Sequence, residues 1–239
     1  MTVAQVIHHV VRDAEALVEG GVDAMMLENF GDVPFYPGRV PAETVAAMTA
    51  VAAEVRRRFE KTPLGINVLR NDGCSAMAIA AAVGANFVRV NILSGARVTD
   101  QGVIQGIAHD LLRDRRRLGA ETVKILADVD VKHSAALAPI GLEAEVEDTL
   151  RRGLADALIV SGTGTGKPTD AGQVKRVREA VGAAAGVLVG SGVTAATVRG
   201  FLPHADGFIV GTALKRNGDP GAKVEIEKVR EVVEAARGA

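Results

Sequence analysis

The 239-residue sequence has one cysteine, Cys74, no tryptophan, a single tyrosine and almost no net charge, with 28 Lys and Arg against 29 Asp and Glu. Each shortage excludes something. A lone cysteine rules out an internal disulfide, and nothing near residue 1 pairs a basic stretch with a long apolar core as a secretory signal does, so a cytoplasmic location is expected. The balanced charge gives no global basic field of the kind that attracts nucleic acid or anionic membranes, and nucleic acid is not an expected partner. No apolar run approaches the roughly 18 to 20 residues needed to cross a bilayer, so the chain is not expected to span a membrane. What remains is a 48% hydrophobic, 24% charged chain, suited to one domain over 1–239 with a large core.

Short apolar runs alternate with amphipathic stretches. From Thr2 to Glu19 the apolar residues fall at three-and-four spacing, which predicts a helix stopped by Gly20-Gly21. Val22 to Glu28 reads as a strand, and Pro41 opens a helix to about Glu60. Strands follow at Leu64 to Leu69, Phe87 to Leu93, Val123 to Asp130, Ala157 to Ser161, Val187 to Gly190 and Gly207 to Gly211. Between them the pattern predicts helices from Asp72 to Val83, Thr99 to Leu118, Leu142 to Arg152, Asp170 to Val181 and a short one from Thr194, with Gly221 to Ala236 closing the chain. The strands are almost continuously apolar, as parallel strands covered on both faces are. This order predicts an α/β fold, a (β/α)8 TIM barrel of the phosphate-binding type. The count is seven strands to eight helices, so the barrel is expected to lack its first strand, through a truncated or mis-assigned start.

In such a barrel the chemistry sits at the C-terminal ends of the strands. The segment from Glu28 to Val40 follows the first strand and holds three of the seven aromatic residues, Phe30, Phe35 and Tyr36, with two glycines and two prolines. It reads as a shaped loop overhanging the mouth, a lid. Within strands, the period of two puts Arg89 with Asn91, and Asp128 with Asp130, on one face. Glu28, Asp128, Asp130, Lys132 and His133 are the candidate catalytic groups, offering carboxylate bases, a cation or Schiff-base amine, and a group that titrates near neutrality. Asn29, Asn67, Arg70, Arg89 and Asn91 are candidates for orienting a substrate. An internal ion pair between Arg89 and a carboxylate is the structural alternative. No cofactor is identified; Asp128 with Glu28 could share a divalent metal through hard oxygen ligands, but no metal site is assigned. Cys74 near a helix start could have a lowered pKa, although an isolated cysteine is more often a small hydrophobe.

Gly190-Ser191-Gly192 and Gly211-Thr212 follow the last two strands. Both loops expose backbone amides, and a short helix near Thr212 would point its positive end at the same place, as phosphate-holding barrels do; Lys215 is a further charge nearby. The segment from Ser161 to Thr169 is glycine-rich, yet position 161 is serine and position 168 proline, so it is neither a P-loop nor a dinucleotide fingerprint. It reads as a loop that clamps a ligand or merely connects.

The segments ENFGDVPFYPGRV (28–40), GINVLRND (65–72), RVNILSGARVTDQG (89–102) and ILADVDVKHS (125–134), with GSGVT and GFIVGTALK near the end, resemble the BtpA family over nearly the whole chain. That resemblance implies an intracellular barrel of the phosphate-binding kind. It supplies no agreed reaction; members are linked to photosystem I biogenesis and some carry a nucleoside-triphosphatase label. Members usually open with a strand and loop that this sequence does not contain, in line with the strand count. The leading expectation is an enzyme acting on a phosphorylated small molecule, a sugar phosphate or nucleotide-like metabolite, by proton transfer of lyase or isomerase character. The alternatives are a non-catalytic photosystem I assembly factor and a nucleoside-phosphate hydrolase. A homo-oligomer is compatible with all three.

Overall fold

Seven parallel strands form one curled sheet in a computed structural model that describes residues 1–138, 140–162 and 168–238. The strands are β1 (Met25–Glu28), β2 (Leu64–Asn67), β3 (Phe87–Val90), β6 (Lys124–Val129), β8 (Ala157–Val160), β9 (Gly186–Val189) and β10 (Gly207–Phe208), paired in that order. Three further short strands, β4 (Ala96–Thr99), β5 (Gly102–Gln105) and β7 (Ser134–Ala136), make a separate antiparallel sheet. Helices α1 (Val3–Glu19), α2 (Ala42–Arg58), α3 (Gly73–Val83), α4 (Ala108–Arg117), α5 (Leu142–Glu147), α6 (Ala171–Val181) and α7 (Ile226–Arg237) alternate with the main strands. The result is an α/β barrel.

The period of two explains how one sheet serves both a core and a site. Ile66, Val88, Ile125 and Ala127 pack outward into one apolar cluster with α2 and α3. Val129, Leu158, Val160, Val187 and Val189 do the same against α6. Their neighbours in sequence, Asn67, Arg89, Asp128 and Ile159, therefore face the barrel interior. The edge strands β1 and β10 have one partner each in this sheet. Flanking them, α1 and α7 join through a cluster of Leu17, Val22, Leu214, Val229 and Val232.

Three expectations change. The helix expected from Thr99 to Leu118 is a β-hairpin for its first third and α4 only from Ala108. β-branched Val98, Thr99, Val103 and Ile104 favour extended chain, Gly102 at φ +98 turns the hairpin where a side chain would be strained, and β4 pairs with β7 on its other edge. The expected helix from Thr194 is a single 3-10 turn at Val198–Gly200, and the one near Thr212 is another at Thr212–Leu214. Among the described residues there are thus seven α-helices rather than eight. The helix expected from Leu142 to Arg152 continues past α5 with π-type bonding over Asp148–Arg152. Residues 163–167, most of the glycine-rich segment read as a clamp, lie outside the described residues. No described helix is long and apolar enough to cross a membrane.

Candidate active site at the barrel mouth

Strand register builds the first row of the site. Pairing sets Glu28 of β1 beside Asn67 of β2, and Asn67 beside Arg89 of β3, so three polar side chains stand at one level on the inner face. Asn67 Nδ2 donates to the Glu28 carboxylate. Arg89 grips Asp128 of β6 in a bidentate pair, Nε to Oδ2 at 2.9 Å and Nη2 to Oδ1 at 2.7 Å. Asn91 Nδ2 donates to Oδ2 at 2.9 Å, and Ser161 Oγ to Oδ1 at 2.9 Å. The Arg89 and Asp128 side chains are 3% and 0% exposed. Burial works against the Arg89 charge, but the Asp128 carboxylate outweighs it, and the guanidinium pKa is raised. The internal ion pair weighed from the sequence is therefore present. With four donors on two oxygens, Asp128 has no lone pair set aside for a substrate proton or a metal. Among the described residues no three His, Cys, Asp or Glu side chains gather as a metal-holding group.

Over this network lies a cavity of about 200 Å³, lined by Glu28, Phe30, Val33, Phe35, Arg70, Arg89, Asn91, Asp100, Lys132 and His133. The aromatic loop forms one wall, with the Phe30 and Phe35 rings 6.4 Å apart. Arg70 is buried, and its Nη2 donates to the backbone oxygen of Lys132 at 2.5 Å. Arg70 Nε and Asn91 Oδ1 are buried without a hydrogen-bond partner among the described residues. Burial pushes the Arg70 pKa down against the attraction of Asp128 and Asp100. Lys132 is lowered as well, by burial first and by Arg89 next, while Glu28 and Asp128 pull the other way.

Other candidates are placed elsewhere. Asp130 lies just past β6 at φ +47 and leaves the inner face. Its carboxylate takes Arg97 Nη2 at 2.6 Å and Gln173 Nε2 at 2.8 Å, in a group completed by Arg97 and Glu145 at 3.1 Å. Asn29 is engaged by the chain itself, accepting from Leu69 N at 2.7 Å and donating to Asp32 at 3.1 Å. Burial, then a hydrogen bond to Asp114, push the Cys74 thiol up to about 12, which makes it a small hydrophobe and not a nucleophile.

At the C-terminal ends of β9 and β10, Gly190 has a packing duty. A Cβ there would sit 2.4 Å from Ile159 Cγ2 and 3.1 Å from Arg89 Nη2. Gly190→Ala is expected to lower stability by about 1–3 kcal/mol through overpacking, read as a reduced urea midpoint; an unchanged midpoint would mean that the guanidinium is not confined by this backbone. The Ser191 hydroxyl accepts from Gly162 N at 2.8 Å. The amides of Ser191, Gly192, Thr212 and Ala213 have no protein acceptor among the described residues. Lys215 faces away from these amides' role, paired with Asp13 at 3.6 Å and donating to Ala222 O at 2.9 Å.

Sequence reasoning passed over Ser161, Asp100 and Arg97. Ser161 continues the inward period of Ala157 and Ile159 and was findable by that signal. Asp100 reaches the cavity from the hairpin tip, which the helix expectation hid.

A family model for the BtpA family matches residues 2–238. The chain belongs to the BtpA family. An uncharacterized protein of Thermococcus kodakarensis is 47% identical over 97% of this chain and 86% of its own length. The photosystem I biogenesis protein BtpA of Synechocystis is 44% identical over 96% of this chain and 79% of its own. Among solved structures, thiamine phosphate pyrophosphorylase from Pyrococcus furiosus superposes with a TM-score of 0.62 at 14% identity, covering 95% of this chain and 89% of that one. Phosphoribosyl anthranilate isomerase from Thermotoga maritima gives 0.62 at 14%, covering 96% and 95%. At such identity the likeness establishes that this BtpA-family chain shares the barrel fold.

Proposed function

We propose that the barrel mouth binds a phosphorylated small molecule, a sugar phosphate or nucleotide-like metabolite, and acts on it by proton transfer of the lyase or isomerase kind. One observation carries this reading: Arg70 and Lys132 line the cavity with no carboxylate in ion-pair contact among the described residues. Arg70, withdrawn from water beside the half-buried Lys132, is costly unless an anion meets it, and a ligand phosphate is such an anion. The amides after β9 and β10, at the same end of the barrel but outside this cavity's lining, are further donors of the kind that hold an anion. Of the two carboxylates on the inner face, Glu28 is the proton acceptor, since Asp128 is fully engaged. Two structural neighbours are named for phosphorylated compounds, which supports the same class of ligand.

A thermal-shift screen of phosphorylated metabolites tests the reading. A ligand at a hundredfold excess over Kd adds about 2.7 kcal/mol, and each kcal/mol moves Tm by roughly 2–4 °C in a domain of this size. Arg70→Met should weaken the responding compound by about 2–5 kcal/mol, compared with wild type at matched fractions folded. No shift with any phosphorylated compound would move weight to an assembly role, the reading suggested by the cyanobacterial relative's name. That second reading has its own observation. The small sheet exposes Val98 and its cross-strand partner Val103, with Leu137 and Ile140 exposed as well, a patch suited to a partner or a second copy of the chain.

A further inference from the structure

We propose that the Lys132 amine is a nucleophile that forms a Schiff base with a carbonyl group of the phosphorylated ligand. The inference rests on the mouth being the site of that ligand, and adds the class: a phosphorylated aldehyde or ketone.

The backbone around Lys132 is held on both sides. Its own carbonyl takes Arg70 Nη2 at 2.5 Å, Asp130 N donates to Glu145 Oε1 at 2.9 Å, and Ser134 Oγ donates to Val131 O at 2.6 Å. Asp130 and His133 sit at φ +47 and +55, a left-handed conformation uncommon outside glycine, which Asp and His tolerate better than most side chains and which recurs at functional positions. Two left-handed residues and three hydrogen bonds thus fix four consecutive residues, whereas the Lys132 amine beside the cavity has no hydrogen bond or ion pair among the described residues. A structural lysine shows the opposite arrangement, as Lys215 does with Asp13 and Ala222.

The surroundings suit amine chemistry. Burial and the nearby Arg89 and Arg70 charges disfavour the ammonium form, which raises the neutral fraction that attacks carbonyl carbon. The amine nitrogen bonds to that carbon, and the carbonyl electron pair moves to oxygen, which takes up the proton released by nitrogen. The hydroxyl then leaves as water with a second proton from solvent, giving a cationic C=N. That cation draws electrons from the adjacent C–H bond, whose proton passes to the Glu28 carboxylate across the same cavity. No oxidant, reductant or metal is needed.

Trapping tests the assignment. The protein is incubated separately with dihydroxyacetone phosphate, glyceraldehyde 3-phosphate and ribose 5-phosphate, reduced with sodium borohydride, and mapped by peptide mass spectrometry. Lys132 should carry the adduct faster than any surface lysine, because burial and the neighbouring positive charges disfavour its ammonium form. Lys132→Met and Lys132→Arg should abolish that adduct, the arginine variant keeping the charge and so controlling for folding. Equal labelling of surface lysines, or no adduct at Lys132 with all three probes, overturns the proposal. Glycerol 3-phosphate, which has no carbonyl, separates the two readings. If it raises Tm in wild type and in Lys132→Arg while trapping fails, the anion site stands and the amine role falls; if it does nothing, the anion site falls too.

Discussion

Asp128→Ala should lower stability by about 3–5 kcal/mol, because it leaves the Arg89 guanidinium buried without its counter-charge. The pair lies at the centre of the sheet, between β3 and β6, and Asn91 and Ser161 lose their acceptor with it. Asp128→Asn should fare little better, since an amide keeps the shape but presents no charge to Arg89. The decisive comparison is a double variant, Arg89→Met with Asp128→Leu. Replacing both members of a buried pair by apolar groups of similar volume is often neutral, whereas removing one is not. Equilibrium urea unfolding of wild type, Arg89→Met, Asp128→Leu and the double variant measures the coupling. Equal losses for the single and double variants would show that the interior needs these polar groups for packing and not for charge balance. A loss below about 1 kcal/mol for Asp128→Ala would show that water reaches Arg89.

Glu28→Gln should leave stability nearly unchanged and reduce proton transfer about 10²–10⁴-fold. Glutamine retains an oxygen to accept from Asn67 and fits the same half-buried position at the end of β1, but it cannot take a proton. Exchange of a carbon-bound hydrogen of the ligand into D₂O, followed by proton NMR with the compound that raises Tm, reads the step directly. Exchange at the wild-type rate in Glu28→Gln would transfer the base role to another group, and His133 on the same cavity would be the first to test by substitution.

Much of this site was legible because a parallel strand has a simple rule. Alternation separates Ile66 from Asn67 and Val88 from Arg89, and barrel topology brings strand ends to one rim, so Glu28, Asn67, Arg89, Asn91 and Asp128 could be grouped from spacing alone. The rule stops where the strand stops. Asp130 continues the count from Asp128, yet one left-handed residue turns it out of the interior toward Arg97 and Gln173, partners 33 and 43 residues away. Contacts at that separation leave no periodic trace. The hairpin was missed for a different reason: Arg97 to Gln105 carries charged and apolar residues at intervals that suit either period, and tertiary pairing with β7 decides the outcome.

The aromatic loop, finally, is stitched to the segment that carries the cavity's buried cation. Asn29 holds Leu69 N at 2.7 Å, Tyr36 O takes Arg70 N at 3.1 Å, and Val40 N donates to Asp72 at 2.8 Å. A flap hinged to swing away would have to break all three, or else move Arg70 with it and break its bond to Lys132 O. Phe30, Phe35 and Arg70 therefore behave as a single rigid jaw, and shape selection and charge selection at this mouth are one mechanical property.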